Sequence, residues 1–417
     1  MSTSRLVYEP IVGVERLEHY QPGGYHPVHI GDYLHNRYRI VHKLGHGPCS
    51  TTWLARDRQL SAYAAVMVGT ANPHQHEFDV LSRINNAPPE HKSTEKPLLP
   101  AILDQFNICG PNGTHRCLVT NPARCSLAGT KDASSSCLFQ LGVARALAAQ
   151  LAIAIAQVHN LAYVHGNLHL GNVLLHSPPG LDYLSEDQLY EKFGAPEIEP
   201  IVRLDGMPLP PNVPSHAVSP VRLGEPSEDT SLSDAKLILV GFESAFRPSE
   251  ESRFQSHLPL EIRPPEACFE PSTPLSFPSD IWSLGCAIWA IIGHGSLFDN
   301  LIANQDIITC EQVDALGRLP PDWWAKWDAR SQKFNEAGEP VQGRSMWTWG
   351  ERFEDSIEDP RRRKDMGTLD AEEKDAFFVM MRWMLEFRPS DRATADQVLE
   401  TAWMRDWAVP SFRKGVK

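Results

Sequence analysis

Hydrophobic and polar positions along the chain change period once. From residue 38, short runs rich in β-formers (39–44, 51–56 and 63–68) alternate with Gly and polar residues, which predicts strands. Residues 76–84 then place Phe78, Leu81 and Ile84 at helical spacing. A loop with Pro88, Pro89 and Pro97 follows, and 117–120 predicts another strand, broken by Asn121-Pro122. Beyond it the period is helical. Residues 138–159 are long, Ala-rich and amphipathic, and 281–292 are apolar on nearly all sides, as a buried helix must be. Further helices are expected at 310–316, 371–385 and 395–403. No repeat is visible at solenoid periods. The pattern predicts an α+β chain, a small β-rich part followed by a larger helical one.

Two stretches stand outside this pattern. Residues 1–37, with Pro22, Gly23, Gly24 and Pro27, read as an extended arm. Residues 177–233 are polar, Pro-rich and too long and irregular for an ordinary loop, so they are expected as a partly disordered insert.

Composition narrows the function classes. Of 417 residues, 42% are hydrophobic and 22% charged, enough for a sizeable core and against disorder of the whole chain. The net charge of −13, from 52 acidic and 39 basic residues, disfavours direct binding to nucleic acid. It suits a basic partner, and equally a protein kept soluble by its charge. The eight cysteines (49, 109, 117, 125, 137, 268, 286 and 310) form no CxxC pair and no zinc-finger spacing, so reduced thiols and no disulfides are expected. Asn112-Gly113-Thr114 matches a glycosylation sequon, discounted because the N-terminus has no basic-then-apolar leader. The apolar stretches 146–156 and 281–292 are too short to span a bilayer. A soluble protein of the cytoplasm or nucleus, with no membrane partner, is the expectation.

The chemistry lies in motifs. Leu44-Gly45-His46-Gly47-Pro48-Cys49-Ser50 resembles the glycine-rich loop of protein kinases, whose backbone amides approach nucleotide phosphates. Ser50 holds the third glycine position, and Pro48 removes one N–H donor. Ala64-Ala65-Val66-Met67 falls at the distance of the V-A-I-K strand, with Met67 at the lysine position. A lysine there pairs the phosphates and an acid of the next helix, which Glu77 matches. No lysine lies between Lys43 and Lys92. His165-Gly166-Asn167-Leu168-His169-Leu170-Gly171-Asn172 resembles the catalytic loop H-R-D-L-x-x-x-N, with Asn167 at the aspartate that acts as base and Asn172 at the metal-binding asparagine. A carboxamide is no useful base, and general-base positioning contributes roughly 10²–10⁴ in rate. Residues 237–244 resemble the strand leading into D-F-G, with Gly241 at the metal-binding aspartate, Phe242 retained and Glu243 at the glycine. Glu243 could approach a metal only after a register slip that would also move Phe242. Phosphate pairing, base and metal ligand are thus replaced together.

The scaffold motifs are retained. Arg263-Pro264-Pro265-Glu266 resembles A-P-E, 279–285 the start of the large lobe's buried central helix, and 387–393 the motif that closes that lobe. The resemblance implies a buried Glu266–Arg392 ion pair, Asp280 holding the catalytic-loop backbone, and a stacked column of Leu81, His165 and Phe242. It also implies nucleotide-contacting positions at Leu44, Gly45, Gly47, Thr52, Ala65, Ala123 and Leu174.

Residues 29–38, 202–206, 312–317 and 320–324 are similar to segments of serine/arginine protein kinases, fungal relatives included. Across about 20–408 the chain resembles that family. It implies a two-lobed kinase fold: extension 1–37, small lobe 38–122, large lobe 123–408 carrying the insert 177–233, and tail 409–417. It implies ATP and Mg²⁺ as cofactors, and a basic or Arg/Ser-rich protein held in an acidic groove of the large lobe. With Met67, Asn167 and Gly241 in place, the expectation is a pseudokinase acting by protein binding. The rivals are an active serine/threonine kinase with an unusual site, and a duplicate without a selected role. The remaining features read plainly: 361–364 as a solvated basic helix start or loop, the tryptophans at 323, 324, 327, 347 and 349 as packing, and Cys49 as an incidental thiol.

Overall fold

The period-two runs become one six-stranded antiparallel sheet. It is built from β1 (Tyr33–Leu34), β2 (Tyr38–Gly47), β3 (Ser50–Asp57), β4 (Ala62–Gly69), β5 (Ile102–Gly110) and β6 (Gly113–Thr120), in the order β1-β2-β3-β4-β6-β5. The computed structural model describes residues 6–72, 76–87, 98–298 and 303–416, so the expected loop at Pro88, Pro89 and Pro97 lies outside the described residues. The chain divides into two compact units. The first is Met1–Asn86, Pro100–Arg124 and His176–Gly224; the second is Ala87–Leu99, Cys125–Leu175 and Glu225–Lys417.

In the first unit both faces of the sheet are covered. Alternation sends Tyr38, Ile40, Trp53, Ala55, Ala64, Val66 and Val68 to one core, with Val28 and Val218. Val41, Leu54 and Tyr63 face the other way, against Leu181, Leu189 and Leu223. Helix α1 (His76–Asn85) buries Phe78, Val80, Leu81 and Ile84, and the Asn85 carboxamide ties its end to Leu81 O, Pro100 O and Ile102 N. Strand β5 escaped prediction, although Ile102, Asp104, Phe106 and Ile108 alternate along it.

The stretch 177–233 is ordered rather than partly disordered. Helix α4 (Glu186–Phe193) starts on a Ser185–Gln188 capping box, which satisfies end donors that a disordered segment would leave to water. Strands β9 (Ile198–Pro200) and β10 (His216–Val218) pair antiparallel. Ile201, Val213 and Ala217 form a further core with Tyr8, Leu17, Tyr20 and Tyr25 of the arm. Residues 225–233 belong to the second unit, where Ser227 Oγ donates to Leu138 O at 2.7 Å.

Strand β7 (Ala123–Ser126) carries the chain into the second unit, which is helical. There α2 (Leu127–Asp132) and α3 (Leu141–Asn160) precede β8 (Val173–His176) and β11 (Leu237–Leu239), and β11 pairs with β8. Then come α5 (Glu266–Phe269), α6 (Phe277–Ile292), α7 (Gln305–Leu316), α8 (Pro321–Lys326), α9 (Trp349–Phe353), α10 (Asp359–Arg363), α11 (Ala371–Met384), α12 (Ala395–Leu399) and α13 (Val409–Val416). Helix α3 is longer than its uninterrupted apolar stretch. Its 20 residues, with mean hydropathy 1.6 over the most apolar window, would reach across a membrane by length and composition. Core burial accounts for that apolarity, because 72% of the window is buried against its own unit, with α6, α12 and α13 packed on it. The basic run 361–364 is not wholly solvated. Arg361 is fully buried, donating to Ile292 O, Phe139 O and Met366 O. With Lys131 on Gly293 O at 2.8 Å, it caps the C-terminal carbonyls of α6, where cations are favoured.

Candidate functional site

In the first unit the glycine-rich segment forms the β2–β3 hairpin. Gly47 faces Ser50, so Pro48-Cys49 is a two-residue turn. Gly45 pairs with Thr52, and Thr52 with Met67. Ala65 is buried; Thr52 and Met67 are half-buried on neighbouring strands, and Glu77 is half-buried in the first turn of α1. Leu44 packs toward the cluster of Leu181, Leu189 and Leu223 from the insert. Lys43 supplies no cation at Met67. It is fully buried, paired with Glu15 and lying over the Trp53 ring. Burial alone would raise the Glu15 carboxyl, but the Lys43 charge and hydrogen bond, with the Tyr20 hydroxyl, hold it below the ordinary range.

The second unit gathers the loop after α3 and the turn after β11. His165 N and Gly166 N donate to the two carboxylate oxygens of Asp280, at 2.7 and 2.9 Å, and His159 Nε2 lies 3.0 Å from Asp280 Oδ2. Burial would raise the Asp280 carboxyl, yet these donors and the nearby imidazoles bring it below the usual range. The His165 ring lies edge-on to Phe242, with centroids 4.9 Å apart. Its Nε2 lies 3.0 Å from Val240 O and its Nδ1 accepts from Asn167 N at 3.3 Å, the pattern of a neutral ring protonated at Nε2. Complete burial holds its pKa below the ordinary value. Leu81 is buried in α1 of the other unit.

Around position 167 the geometry departs from the sequence expectation. Asn167 Nδ2 donates to Glu243 Oε1 at 2.5 Å, and Asn172 Nδ2 donates to Asn167 O at 2.8 Å. Glu243 thus sets a carboxylate beside the expected base position with Phe242 still buried. A carboxylate is missing at 167, and one is present two residues after Gly241; that pairing was the signal available in the sequence. Gly241 is left-handed, with φ of +83°, and a Cβ there would overlap the Asn172 carboxamide. Gly166, with φ of +73°, would set a Cβ 2.6 Å from Ser244 O, so the loop as folded suits glycine there. Leu174 and Ala123, both half-buried, lie on β8 and β7.

The donors do not fit Mg²⁺ as the resemblance implies. Gly241 offers no ligand, so Asn172, whose Nδ2 donates to Asn167 O and leaves Oδ1 as its ligating atom, stands without the second donor, and the described residues contain no group of three or more His, Cys, Asp or Glu that could hold a metal.

The retained scaffold pair is present in the same unit. Arg392 meets Glu266 bidentately at 2.8 and 2.6 Å, and Ser279 Oγ adds a third hydrogen bond to the carboxylate. Two cavities open nearby. One of about 370 Å³ is lined by Gly166, Ser244, Glu251, Arg253 and His257. Another of about 660 Å³ is lined by Cys268, Asp306, Lys326, Trp327 and Asp328.

No family model matches the chain. It is similar to a serine/threonine protein kinase of Aspergillus fumigatus, 24% identical over 398 residues that cover 94% of this chain and 90% of that protein. It is similar to the serine/threonine-protein kinase SRPK of Physarum polycephalum, 27% identical over 422 residues, 95% of this chain and 92% of that one. Over 168 residues it is 33% identical to protein kinase dsk1 of Schizosaccharomyces pombe, 39% of this chain and 30% of that protein. Over most of its length, then, the chain is similar to serine/threonine protein kinases of the SRPK type.

Proposed function

We propose that this chain is a pseudokinase of the serine/arginine-protein-kinase type, with impaired ATP and Mg²⁺ binding and impaired phosphotransfer, that acts by binding protein. One observation carries this reading: position 241 has no carboxylate, and a Cβ there meets the Asn172 carboxamide as it now lies, so a side chain at 241 requires Asn172 to move. Met67 and Asn167 add the loss of the phosphate-pairing charge and of the base, and positioning and charge neutralisation supply nearly all of phosphoryl-transfer catalysis. The partner proposed is a basic or Arg/Ser-rich protein of the cytoplasm or nucleus. The net charge of −13 supports it, as do Asp306 and Asp328 lining the larger cavity.

A second reading has an observation of its own. Glu243 beside Asn167 returns a carboxylate to the catalytic loop, which favours an active ATP-dependent serine/threonine kinase with an unusual site. One experiment separates the two: nucleotide-dependent thermal shift with and without Mg²⁺, beside phosphate transfer to an Arg/Ser-rich peptide. A ligand at 100 times its Kd stabilises by about 2.7 kcal/mol. The binding reading expects a shift with the peptide and no transfer above background. Robust transfer that is lost in Glu243→Ala refutes it and installs the second reading.

A further inference from the structure

The tip of the glycine-rich hairpin is exposed at His46, Pro48 and Cys49, yet its backbone carbonyls are held by hydrogen bonds. The hydroxyl of Tyr25 donates to Gly47 O at 2.7 Å and reaches Pro48 O at 3.3 Å. His46 Nε2 lies 3.3 Å from Gly13 O, and Thr70 N donates to Cys49 O at 2.8 Å. Three successive carbonyls of the turn are therefore held by groups of the same unit, two of them by a single tyrosine of the arm. Two residues before Gly45, Lys43 and Glu15 bury an ion pair between strand and arm, and the Tyr20 hydroxyl closes on Glu15.

The arm is anchored in turn. Asn112 Nδ2 donates to Tyr25 O at 2.6 Å and to Asn212 O at 3.0 Å, Asn212 Nδ2 donates to Tyr20 O at 2.7 Å, and Gly23 N donates to Asn112 O at 2.8 Å. Ala71 N donates to Gly24 O at 2.9 Å. Tyr8, Leu17, Tyr20 and Tyr25 share a core with Ile201, Val213 and Ala217 of the insert. Asn112 is buried and its amide is spent on these carbonyls, which also closes the sequon at 112–114.

We propose that residues 6–25 are an internal strap, locked by the insert at 201–217, that fixes the glycine-rich hairpin through Tyr25 and Glu15. The hairpin's order is then set by the chain itself and does not depend on a bound nucleotide. A flexible glycine hairpin that waits for phosphate pays its ordering entropy on binding; a strapped one has lost that freedom on folding. The proposal goes beyond the pseudokinase reading and does not rest on it.

Hydrogen exchange on the full chain, read by mass spectrometry with no nucleotide added, tests it. Tyr25→Phe keeps the ring in its core and removes only the hydroxyl. The expected result is about fivefold faster exchange in the peptide covering 44–50, the equivalent of roughly 1 kcal/mol. Asn112→Ala, which releases the Tyr25 carbonyl from outside the hairpin, is expected to act in the same direction. Wild-type exchange at 44–50 is expected to stay within twofold when millimolar ATP and Mg²⁺ are added. Exchange at 44–50 that changes less than twofold in both variants, or that rises evenly over the whole first unit, overturns the strap. So does wild-type protection that appears only with nucleotide.

Discussion

Replacing Arg392 by Met should be among the costliest single changes in the second unit, and the structure says why. The guanidinium uses all five of its N–H donors: two on Glu266, and one each on Glu386 O, Pro278 O and Phe387 O, at 2.6–3.0 Å. Glu266 and Arg392 are both buried. Arg392→Met would leave the Glu266 carboxylate with Ser279 Oγ as its remaining side-chain donor. Breaking a buried pair from one side costs roughly 3–5 kcal/mol. With a urea m-value of about 3 kcal/mol/M, the unfolding midpoint should fall by about 1–2 M at unchanged m. The double variant Glu266→Met/Arg392→Met removes the stranded charge. It still leaves three carbonyls without their donor, at a net cost of about 1 kcal/mol each. The double variant should therefore be more stable than Arg392→Met while remaining below wild type. Urea titration followed by tryptophan fluorescence reads this directly. A loss under about 1 kcal/mol in the single variant, or a double variant less stable than the single, would refute the account.

Three other outcomes follow from the same kind of reasoning. Gly241→Ala should lose roughly 1–3 kcal/mol in urea, because a left-handed φ and the Asn172 carboxamide both oppose a Cβ, and Asn172→Ala should restore part of the loss. An unchanged midpoint would mean the site has room for a metal ligand after all. Asp280→Asn leaves one acceptor oxygen for donors that now use two, so amide exchange at 165–167 should speed up before the rest of the unit loosens. Acid should destabilise the protein from about pH 6.5 downward, where unfolded histidines begin to bind protons that the folded chain refuses. Burial lowers His165 and, with the neighbouring His115 ring second, brings His26 down to about 4, so their contribution is complete above pH 6.5 and is lost as the pH falls toward the folded values. Melting temperature recorded between pH 7.5 and 5 should fall, and His26→Gln should flatten the curve; a flat wild-type curve would contradict the assignment.

What could be read in the sequence followed from how local each signal is. Strands β2 to β4 and helices α6 and α11 announce themselves by period, and the glycine, catalytic-loop and D-F-G segments by spacing within a few residues. The insert did not, because its leucines at 181, 189 and 223 have no period of their own. Their partners Val41, Leu54 and Tyr63 are identifiable only once β2, β3 and β4 are known to turn those side chains away from the Tyr38 and Trp53 core. Arg361 looked solvated because its neighbours Arg362 and Arg363 are; two of its three carbonyl partners, Ile292 and Phe139, lie 69 and 222 residues away in sequence. Glu243 could be noticed as an extra carboxylate, but its place beside Asn167 depends on the turn set by Gly241.

The same distinction bears on what the retained motifs can say about activity. His165 and Gly166 present their amides to Asp280, and Glu266 receives Arg392, for reasons of burial and hydrogen bonding alone. Losing any of them would strand a buried polar group, so a chain that must fold keeps them whether or not it transfers phosphate. Met67, Asn167 and Gly241 carry no such duty as Lys or Asp would in this structure. Met67 is half-buried between Thr52 and Leu118, Asn167 bonds through its amide to Glu243, and Gly241 occupies a backbone conformation that suits glycine. Scaffold residues therefore weigh on the fold and not on the chemistry. In the proposed reading, activity turns on Met67, Asn167 and Gly241 and on the Glu243 carboxylate beside Asn167, and phosphate transfer by Glu243→Ala is the measurement that reads it.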